Sequence, residues 1–289
     1  MTHFLVIDAS VMVYNFLNNL QTNSVYDQLY LAHGRNAQDL YIKKVGQLFV
    51  KHLSSGEWLP ARLKQADTVP VWAWDTKDTR GEYWRHAYLR EQGLPIKYKA
   101  GRKDKTDTWY KCRDAVKHAV TTMELTSFEY EGYEADDIAG AIVKLAGSDP
   151  VTLLTVDTDW LGLLSPTCTW VSSTNYAPQV RNNLTSFNSW CQKRLKAMFH
   201  EPAQLWTYKA IHGDKSDNLP RKSPLAVINL LEPPTKYDLT QNGLMFLPAN
   251  MRASASIPGV TPELARLQGP LVSVEWSLVN DLPYYTMGQ

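Results

Sequence analysis

The stretch EADDIAGAIVKLAGSDPVTLLTVDTD, residues 134–159, contains a helix pattern followed at once by a strand pattern. Its first half places apolar residues at helical spacing: Ile138, Ala141, Ile142 and Leu145. This spacing predicts an amphipathic helix over residues 134–146. The run Val151–Val156 is almost entirely apolar, which predicts a buried strand, and that strand ends at Asp157. The stretch is therefore predicted to be one helix–strand unit of an α/β fold.

The same alternation extends in both directions from this unit. Four further short apolar or β-like runs predict strands: Phe4–Ile7, Val69–Trp74, Ser127–Tyr130 and Cys168–Ser172. Helical patterns lie between and after them, over residues 36–53, 79–91, 106–125, 184–199 and 202–212. Strands that alternate with helices predict an α/β fold with a mostly parallel central sheet flanked by helices.

Acidic residues follow the predicted strands. FLVID ends at Asp8, VPVWAWD ends at Asp75, and VTLLTVD ends at Asp157. Because the carboxyl ends of parallel strands share one edge of a sheet, these acids are expected to lie close together. With Asp159, two residues after Asp157, and the acids of the helix start at 134–137 and of GDKSDN, nine carboxylates could meet there: Asp8, Asp75, Glu134, Asp136, Asp137, Asp157, Asp159, Asp214 and Asp217.

Each of these acids, taken alone, also fits a turn or a helix cap. Their convergence favours a different interpretation, because carboxylates that lie together repel one another unless cations neutralise them. Hard divalent ions such as Mg²⁺ and Mn²⁺ prefer oxygen ligands, and a pair of them about 4 Å apart is suited to phosphodiester hydrolysis. We therefore expect a site for two Mg²⁺ ions, with Mn²⁺ able to substitute.

The remaining charge is basic. The chain has a net charge of +1, so setting aside nine carboxylates leaves +10. Residues 97–117 carry eight lysines and arginines against three aspartates, with Tyr98, Trp109 and Tyr110 among them. Cations that follow a phosphate backbone and rings that stack on bases predict a path for single-stranded nucleic acid. The alternative is a solvated helix whose aromatic residues belong to the core.

Composition excludes several classes of protein. The 289 residues are 44% hydrophobic and 20% charged, which is typical of a globular chain. No apolar run approaches the roughly 20 residues that span a bilayer, and the amino terminus is expected to be a buried strand and not a signal peptide. Three cysteines at long spacings predict neither a disulfide framework nor a structural zinc site. We expect a cytoplasmic protein with reduced thiols.

Five ordered motifs resemble the 5′-nuclease superfamily, which has a PIN-like fold and includes flap endonucleases and the 5′–3′ exonucleases of phages and bacterial DNA polymerase I. The motifs are FLVID, WAWD, YEADDIAG (133–140), TVDTDW (155–160) and GDKSDNLP (213–220). YKAGR (98–102) resembles the base of the family's helical arch. The resemblance covers about residues 3–220 in the family's order.

The resemblance implies roles for individual residues. The tighter of two metal ions would be held by Asp8, Asp75, Glu134, Asp136 and Asp137. The second ion would be held by Asp157, Asp159, Asp214 and Asp217. Lys99 and Arg102 would contact the scissile phosphate as catalytic residues of an arch at about 77–126 that lies over the active site. Tyr98 would stack on a terminal base, and further DNA contacts would come from Lys97, Lys103, Lys105, Trp109 and Lys111.

The resemblance also implies two parts of the chain. Residues 1–220 would form the catalytic domain, and residues 221–289 a C-terminal extension, either a helical appendage that packs on the core or an extended wrap around it. After GDKSDN the chain has Pro220 and Pro224 where larger members of the family have glycines. The helix–hairpin–helix grip on duplex DNA, with its potassium site, is therefore not expected.

The function that follows is a metal-dependent 5′–3′ DNA exonuclease or flap endonuclease that leaves 5′-phosphate products. It would act in phage DNA replication, as in primer removal, or in DNA degradation. Its partners would be DNA with 5′ ends or flaps, including RNA-primed DNA, and other replisome proteins; a monomer in the host cytoplasm is expected. Two alternatives stay open, a PIN-like ribonuclease and a catalytically silent, structure-specific DNA-binding protein. The intact acidic set argues against the silent protein.

Overall fold

The computed structural model describes residues 3–22, 25–55, 68–91, 98–99, 105–172, 180–181 and 183–212. Within them the strands are β1 (His3–Asp8), β2 (Thr68–Trp74), β3 (Thr126–Glu129), β4 (Val151–Thr155), β5 (Cys168–Ser172) and β6 (Val180–Arg181). The helices are α1 (Ala9–Thr22), α2 (Val25–His33), α3 (Ala37–Ser55), α4 (Trp84–Glu91), α5 (Asp107–Thr122), α6 (Ala135–Ala146), α7 (Leu184–Leu195) and α8 (Gln204–His212). Two short 3₁₀ helices span Gly34–Asn36 and Asp159–Leu163.

The strands form one sheet in the order β3-β2-β1-β4-β5-β6. The first five are parallel, and β6 pairs antiparallel with β5. This confirms the predicted mostly parallel sheet. The chain adds strands on one side of β1 first and then returns to the other side with β4. Such a reversal opens a crevice at the carboxyl ends of the central strands, where ligands of parallel sheets bind.

Helices cover both faces of the sheet. Because successive residues of a strand point to opposite faces, Leu5 and Val6 of β1 enter different cores. Leu5 belongs to the core shared with α1, α3 and α5, which includes Phe49 and Trp72. Val6 belongs to the core shared with α6, α7, α8 and the second 3₁₀ helix. The three cysteines are buried as free thiols, as predicted.

Helix α5 lies within the range predicted for the arch, but it packs in the core. The arch was expected over about 77–126, but α5 buries Cys112, Val116, Ala119 and Val120 in the core beside α3. The following residues form β3 at the sheet edge. Residues 107–126 thus belong to the core layers. An arch in the stretch before α5, of which Tyr98, Lys99 and residues 105–106 are described, stays a prediction.

The predicted C-terminal extension, 221–289, lies outside the described residues, as do Asp214 and Asp217. No helix in the described part of the chain is both long enough and apolar enough to cross a membrane.

Candidate active site

The carboxyl ends of β1, β2 and β4 bring the first acids together. Asp8 is the last residue of β1, and Asp75 and Asp157 follow β2 and β4. The Asp8 side chain is 6% exposed. It accepts a hydrogen bond from the Val11 backbone N–H at 3.1 Å and another from Thr155 Oγ1 at 2.8 Å. The predicted juxtaposition of these acids at one sheet edge is therefore present in the structure.

Asp75 joins two helices to the end of β2. Its Oδ2 accepts a hydrogen bond from Ser10 Oγ in α1 at 2.7 Å, and its Oδ1 accepts one from the Ala135 N–H at 2.9 Å. Ala135 is the first residue of α6, whose N-cap is Glu134. Asp75 thereby holds the starts of α1 and α6 beside the acidic edge.

Two acids at this edge, the buried Asp8 and the half-buried Asp136, are shifted towards their protonated forms. Burial, then the charge of Asp75, raises the pKa of Asp8 to about 7, and Asp157 adds to this. Burial, then the charge of Asp157, raises the pKa of Asp136 well above its ordinary value. Asp136 Oδ1 accepts a hydrogen bond from Trp160 Nε1 at 2.6 Å. A bound cation would favour the ionised forms of both acids.

The donor set fits a hard divalent ion whose remaining ligands are water and phosphate oxygens. Among the described residues, no three acidic, histidine or cysteine side chains are already arranged to hold a metal ion. Mg²⁺ does not require such a cage, because it keeps several waters and uses one or two carboxylates with substrate phosphates. The candidate ligands are all carboxylate oxygens, and the pKa values of Asp8 and Asp136 are raised, so both properties fit Mg²⁺.

Glu134 lies in the opposite electrostatic environment. It is 1% exposed, and burial alone would raise its pKa. The charges of Lys99 and then Arg85 outweigh burial and lower the pKa of Glu134 to about 2. Lys99 Nζ pairs with Glu134 Oε1, while Oε2 accepts hydrogen bonds from Tyr98 Oη at 2.9 Å and Arg85 Nη1 at 2.7 Å. Glu134 is thus ionised and fully engaged.

Arg85 was not identified from the sequence. Besides Glu134, it binds Asp137 through two nitrogens, at 2.9 and 2.7 Å. Asp137 also accepts hydrogen bonds from Trp84 Nε1 and from the Glu134 backbone N–H, each at 3.1 Å. These contacts place Asp137 in the cap of α6 and against Arg85. The predicted role of Asp137 as a metal ligand stays a prediction.

Lys99 has an unusual backbone conformation. Its φ of +56° lies in the left-handed region, which costs a non-glycine residue about 1–2 kcal/mol. Its ammonium lies 5.0 Å from the ring centre of Tyr98 and 5.5 Å from that of Tyr83. A strained residue held by several partners is typical of functional positions.

The predicted base-stacking role of Tyr98 stays a prediction. In the structure its ring is 5% exposed, and its hydroxyl holds Glu134. Its edge-to-face neighbour is His86, with ring centres 5.4 Å apart. Lys97, Arg102 and Lys103 lie outside the described residues.

The second group of acids surrounds the start of the 3₁₀ helix at Asp159. The Asp159 N–H donates to Asp157 Oδ1 at 2.9 Å. Lys209 of α8, which was not identified from the sequence, pairs with Asp159 Oδ1. Helix α8 ends at His212, two residues before the predicted ligand Asp214. Asp157 and Asp159 are therefore together, with a cation beside them.

Part of the predicted nucleic-acid path lies on α5 and α1. Lys105 Nζ is 4.6 Å from the ring centre of Tyr14 and 5.6 Å from that of Trp109. Tyr14, which was not singled out from the sequence, is 47% exposed. Trp109 packs partly against the core, and Lys111 pairs with Asp107 at 2.8 Å. Tyr14 and Lys105 thus combine an exposed ring and a cation.

The raised pKa of Asp8 predicts a pH dependence of stability for the metal-free protein. A carboxyl group whose pKa rises on folding stabilises the fold below its unfolded pKa, and this contribution is lost as pH rises towards about 7. Asp8→Asn removes the titration. In EDTA, we expect the stability of this variant relative to the parent to increase by about 2–3 kcal/mol between pH 5 and pH 8. Urea unfolding of both proteins at each pH measures the change, and a constant difference would contradict the shift.

The chain matches a known family over most of its length. The family described as the 5′–3′ exonuclease, N-terminal resolvase-like domain, matches residues 3–189. Among solved structures, the T5 5′-exonuclease with divalent zinc ions bound has a TM-score of 0.51 at 17% identity, covering 96% of this chain and 89% of that one. This likeness supports the fold.

Curated relatives match over shorter stretches. The chain is 31% identical to DNA polymerase I of Chloroflexus aurantiacus over 130 residues, which are 44% of this chain and 13% of that protein. It is 28% identical to a 5′–3′ exonuclease of Mycoplasmopsis pulmonis over 143 residues, 49% of this chain and 43% of that one. It is 37% identical to flap endonuclease Xni of Sodalis glossinidius over 91 residues, 31% and 34% of the two chains. The chain thus spans less than half of each relative, and the match over residues 3–189 shows that it belongs to the 5′–3′ exonuclease family.

Proposed function

We propose that this protein is a divalent-metal-dependent 5′–3′ nuclease that hydrolyses phosphodiester bonds in DNA with 5′ ends or flaps. One observation carries the proposal within this family: the sheet edge brings two acids of raised pKa, the buried Asp8 and the half-buried Asp136, beside the Lys99–Glu134 ion pair. Repelling carboxylates beside a cation suit a site that receives metal ions and a phosphate together.

Two Mg²⁺ ions, replaceable by Mn²⁺, would occupy this edge. Asp8, Asp75, Glu134 and Asp136 would hold the first. The second would be held by Asp157, Asp159, Asp214 and Asp217. When bound, such ions act as Lewis acids and make an attacking water more acidic. Asp137 would also hold the first ion, although Arg85 and Trp84 engage its oxygens in the metal-free protein, as Lys99, Tyr98 and Arg85 engage those of Glu134.

Three cations beside the acids would have separate roles. Lys99 places a positive charge at the acidic edge, where it compensates Glu134 and can meet a phosphate oxygen as charge develops. Arg85 fixes the α6 start by binding Glu134 and Asp137. Lys209 compensates Asp159. The chain thus supplies a preorganised set of charges around the phosphate.

The DNA strand would approach over the basic tract. Lys105 and Lys111 are described there, and Lys97, Arg102 and Lys103 extend the same tract in sequence. Tyr14 and Trp109 add rings beside Lys105. Phosphate contacts of this kind are screened by salt, and ring stacking tolerates any base. The setting that fits is phage DNA replication or degradation by a monomer in the host cytoplasm, with replisome contacts.

A labelled-substrate assay tests the proposal. Duplex, flap and RNA-primed DNA, each labelled at the 5′ or the 3′ end, and a matched RNA are incubated with Mg²⁺ or with EDTA. We expect Mg²⁺-dependent release from the 5′ end and products with 5′-phosphates. Cleavage of RNA alone would instead support the ribonuclease alternative. Binding without any cleavage in Mg²⁺ or Mn²⁺ would support the silent DNA-binding protein.

A further inference from the structure

Tryptophan side chains form hydrogen bonds to several acidic residues of the site. Four indole N–H groups donate to these residues: Trp84 to Asp137 Oδ2 at 3.1 Å, Trp160 to Asp136 Oδ1 at 2.6 Å, Trp170 to the Asp157 carbonyl at 3.1 Å and Trp206 to the Asp159 carbonyl at 3.0 Å. Trp84 is the first residue of α4, Trp160 lies in the second 3₁₀ helix and Trp170 lies in β5. Trp206 is different, because it comes from α8.

Trp206 rests on a residue that has no side chain. A Cβ atom built on Gly162 would lie 2.3 Å from Trp206 Cε2 and 2.4 Å from Cζ2, far inside any real contact. The φ of Gly162 is not positive, so the position does not need glycine for its backbone conformation. The Trp206 ring is 7% exposed and its N–H is engaged, so it has little room to move aside. Gly162 is therefore required by the close approach of the ring.

The 3₁₀ helix beneath this contact carries the acids of the second group. It begins at Asp159, and its next residue, Trp160, binds Asp136. Lys209, which lies one helical turn after Trp206 in α8, pairs with Asp159. A change in the spacing between α8 and this helix would thus shift Asp159, its cation and the Trp160–Asp136 hydrogen bond together.

We propose that Trp206, seated on Gly162, is a positioning residue that sets the spacing between α8 and the 3₁₀ helix and so fixes the position of Asp159, a predicted ligand of the second metal ion. The inference rests on the proposed function. It extends that function by assigning the orientation of Asp159 to an aromatic contact outside the acidic motifs. Partners that orient metal ligands typically change metal affinity by 10–100-fold when they are lost.

The test adds one methyl group. Gly162→Ala forces the ring and α8 away from the 3₁₀ helix. We expect the Mg²⁺ concentration for half-maximal cleavage to rise about tenfold or more, and calorimetric Mn²⁺ binding to weaken in parallel. The matched control is Gly140→Ala in α6, whose Cβ would lie 3.8 Å from Leu163 Cδ2, an ordinary contact with the same 3₁₀ helix. Equal metal dependence in the two variants would overturn the inference.

A double-mutant cycle separates positioning from general damage. In a Trp206→Leu background the indole is absent, so adding Gly162→Ala should weaken Mn²⁺ binding much less than it does in the parent. Equal effects in both backgrounds would contradict the contact. Should Gly162→Ala fail to fold, Trp206→Phe removes both the N–H to the Asp159 carbonyl and the part of the indole that lies over Gly162, so it should still weaken Mn²⁺ binding; unchanged binding there would overturn the inference.

The two proposals fail in different ways. If the parent protein binds Mn²⁺ and shows the cycle but cleaves no nucleic acid, then the nuclease assignment is wrong and the positioning role of Trp206 stands. If the parent cleaves DNA and Gly162→Ala matches Gly140→Ala in both readouts, then only the positioning role is wrong.

Discussion

Asp157→Asn is expected to lower the rate of DNA cleavage by about 10²–10³-fold while making the metal-free protein more stable. The loss of rate follows from the removal of one charge from the proposed site of the second metal ion. The gain in stability follows from the same charge, because Asp157 raises the pKa of both Asp8 and Asp136 and thus repels them in the fold. A functional carboxylate that destabilises its own apoprotein should show both effects together.

Three measurements check this prediction. Single-turnover cleavage at saturating Mg²⁺ gives the rate, gel shift in Ca²⁺ gives DNA binding, and melting in EDTA and in Mg²⁺ gives stability. We expect binding to be retained, the melting temperature in EDTA to rise and the stabilisation by Mg²⁺ to shrink. Asp149→Asn is the matched control, since it lies just before β4 at the opposite edge of the sheet. Near-normal turnover of Asp157→Asn would contradict the two-metal assignment.

The sheet edge could be predicted from the sequence because each acid directly follows an apolar strand. Strand-end position is a local pattern, and the parallel topology then brings Asp8, Asp75 and Asp157 to one edge. The strands of the structure show that this pattern is sufficient to predict where the backbone forms the central sheet. It gives no information on which side chains from elsewhere reach the acids.

Arg85 and Lys209 show what local patterns miss. Arg85 binds Asp137, 52 residues later, and Lys209 binds Asp159, 50 residues earlier. Neither cation belongs to a charge run or a periodic pattern that singles it out. Their partners are set by how α4 and α8 pack on the sheet, and tertiary packing of this kind leaves no signal in a window of neighbouring residues.

Helix α5 shows how charge and periodicity carry separate information. The resemblance placed it within an arch at about 77–126, but its buried residues Cys112, Val116 and Ala119 recur every three or four positions and form an apolar stripe. The charges occupy the rest of the helix surface. The charged residues therefore indicate the exposed face of α5, and the spacing of its apolar residues indicates the face that packs in the core.

Lys99→Ala is expected to lower the single-turnover rate by about 10²-fold, or about 3 kcal/mol, with a much smaller loss of DNA affinity. The ammonium is a compact charge suited to a phosphate oxygen, so its main effect should come as charge develops during attack. Ground-state binding depends on many phosphate contacts, of which this is one. The fold should survive, because Arg85 and Tyr98 still bind Glu134.

Lys105→Ala is the matched control for Lys99→Ala, because Lys105 is an exposed cation whose described contacts are with the rings of Tyr14 and Trp109. It should weaken DNA binding, reduce the salt dependence and leave the saturated rate almost unchanged. Lys99→Arg keeps the charge but changes its shape, so it should restore binding fully and the rate only in part. Each variant is first compared with the parent by melting. If Lys99→Ala and Lys105→Ala alter affinity alone and to the same extent, then Lys99 belongs to a basic surface and has no role in the chemical step, and its strained backbone and its pairing with Glu134 serve the fold of the α6 start.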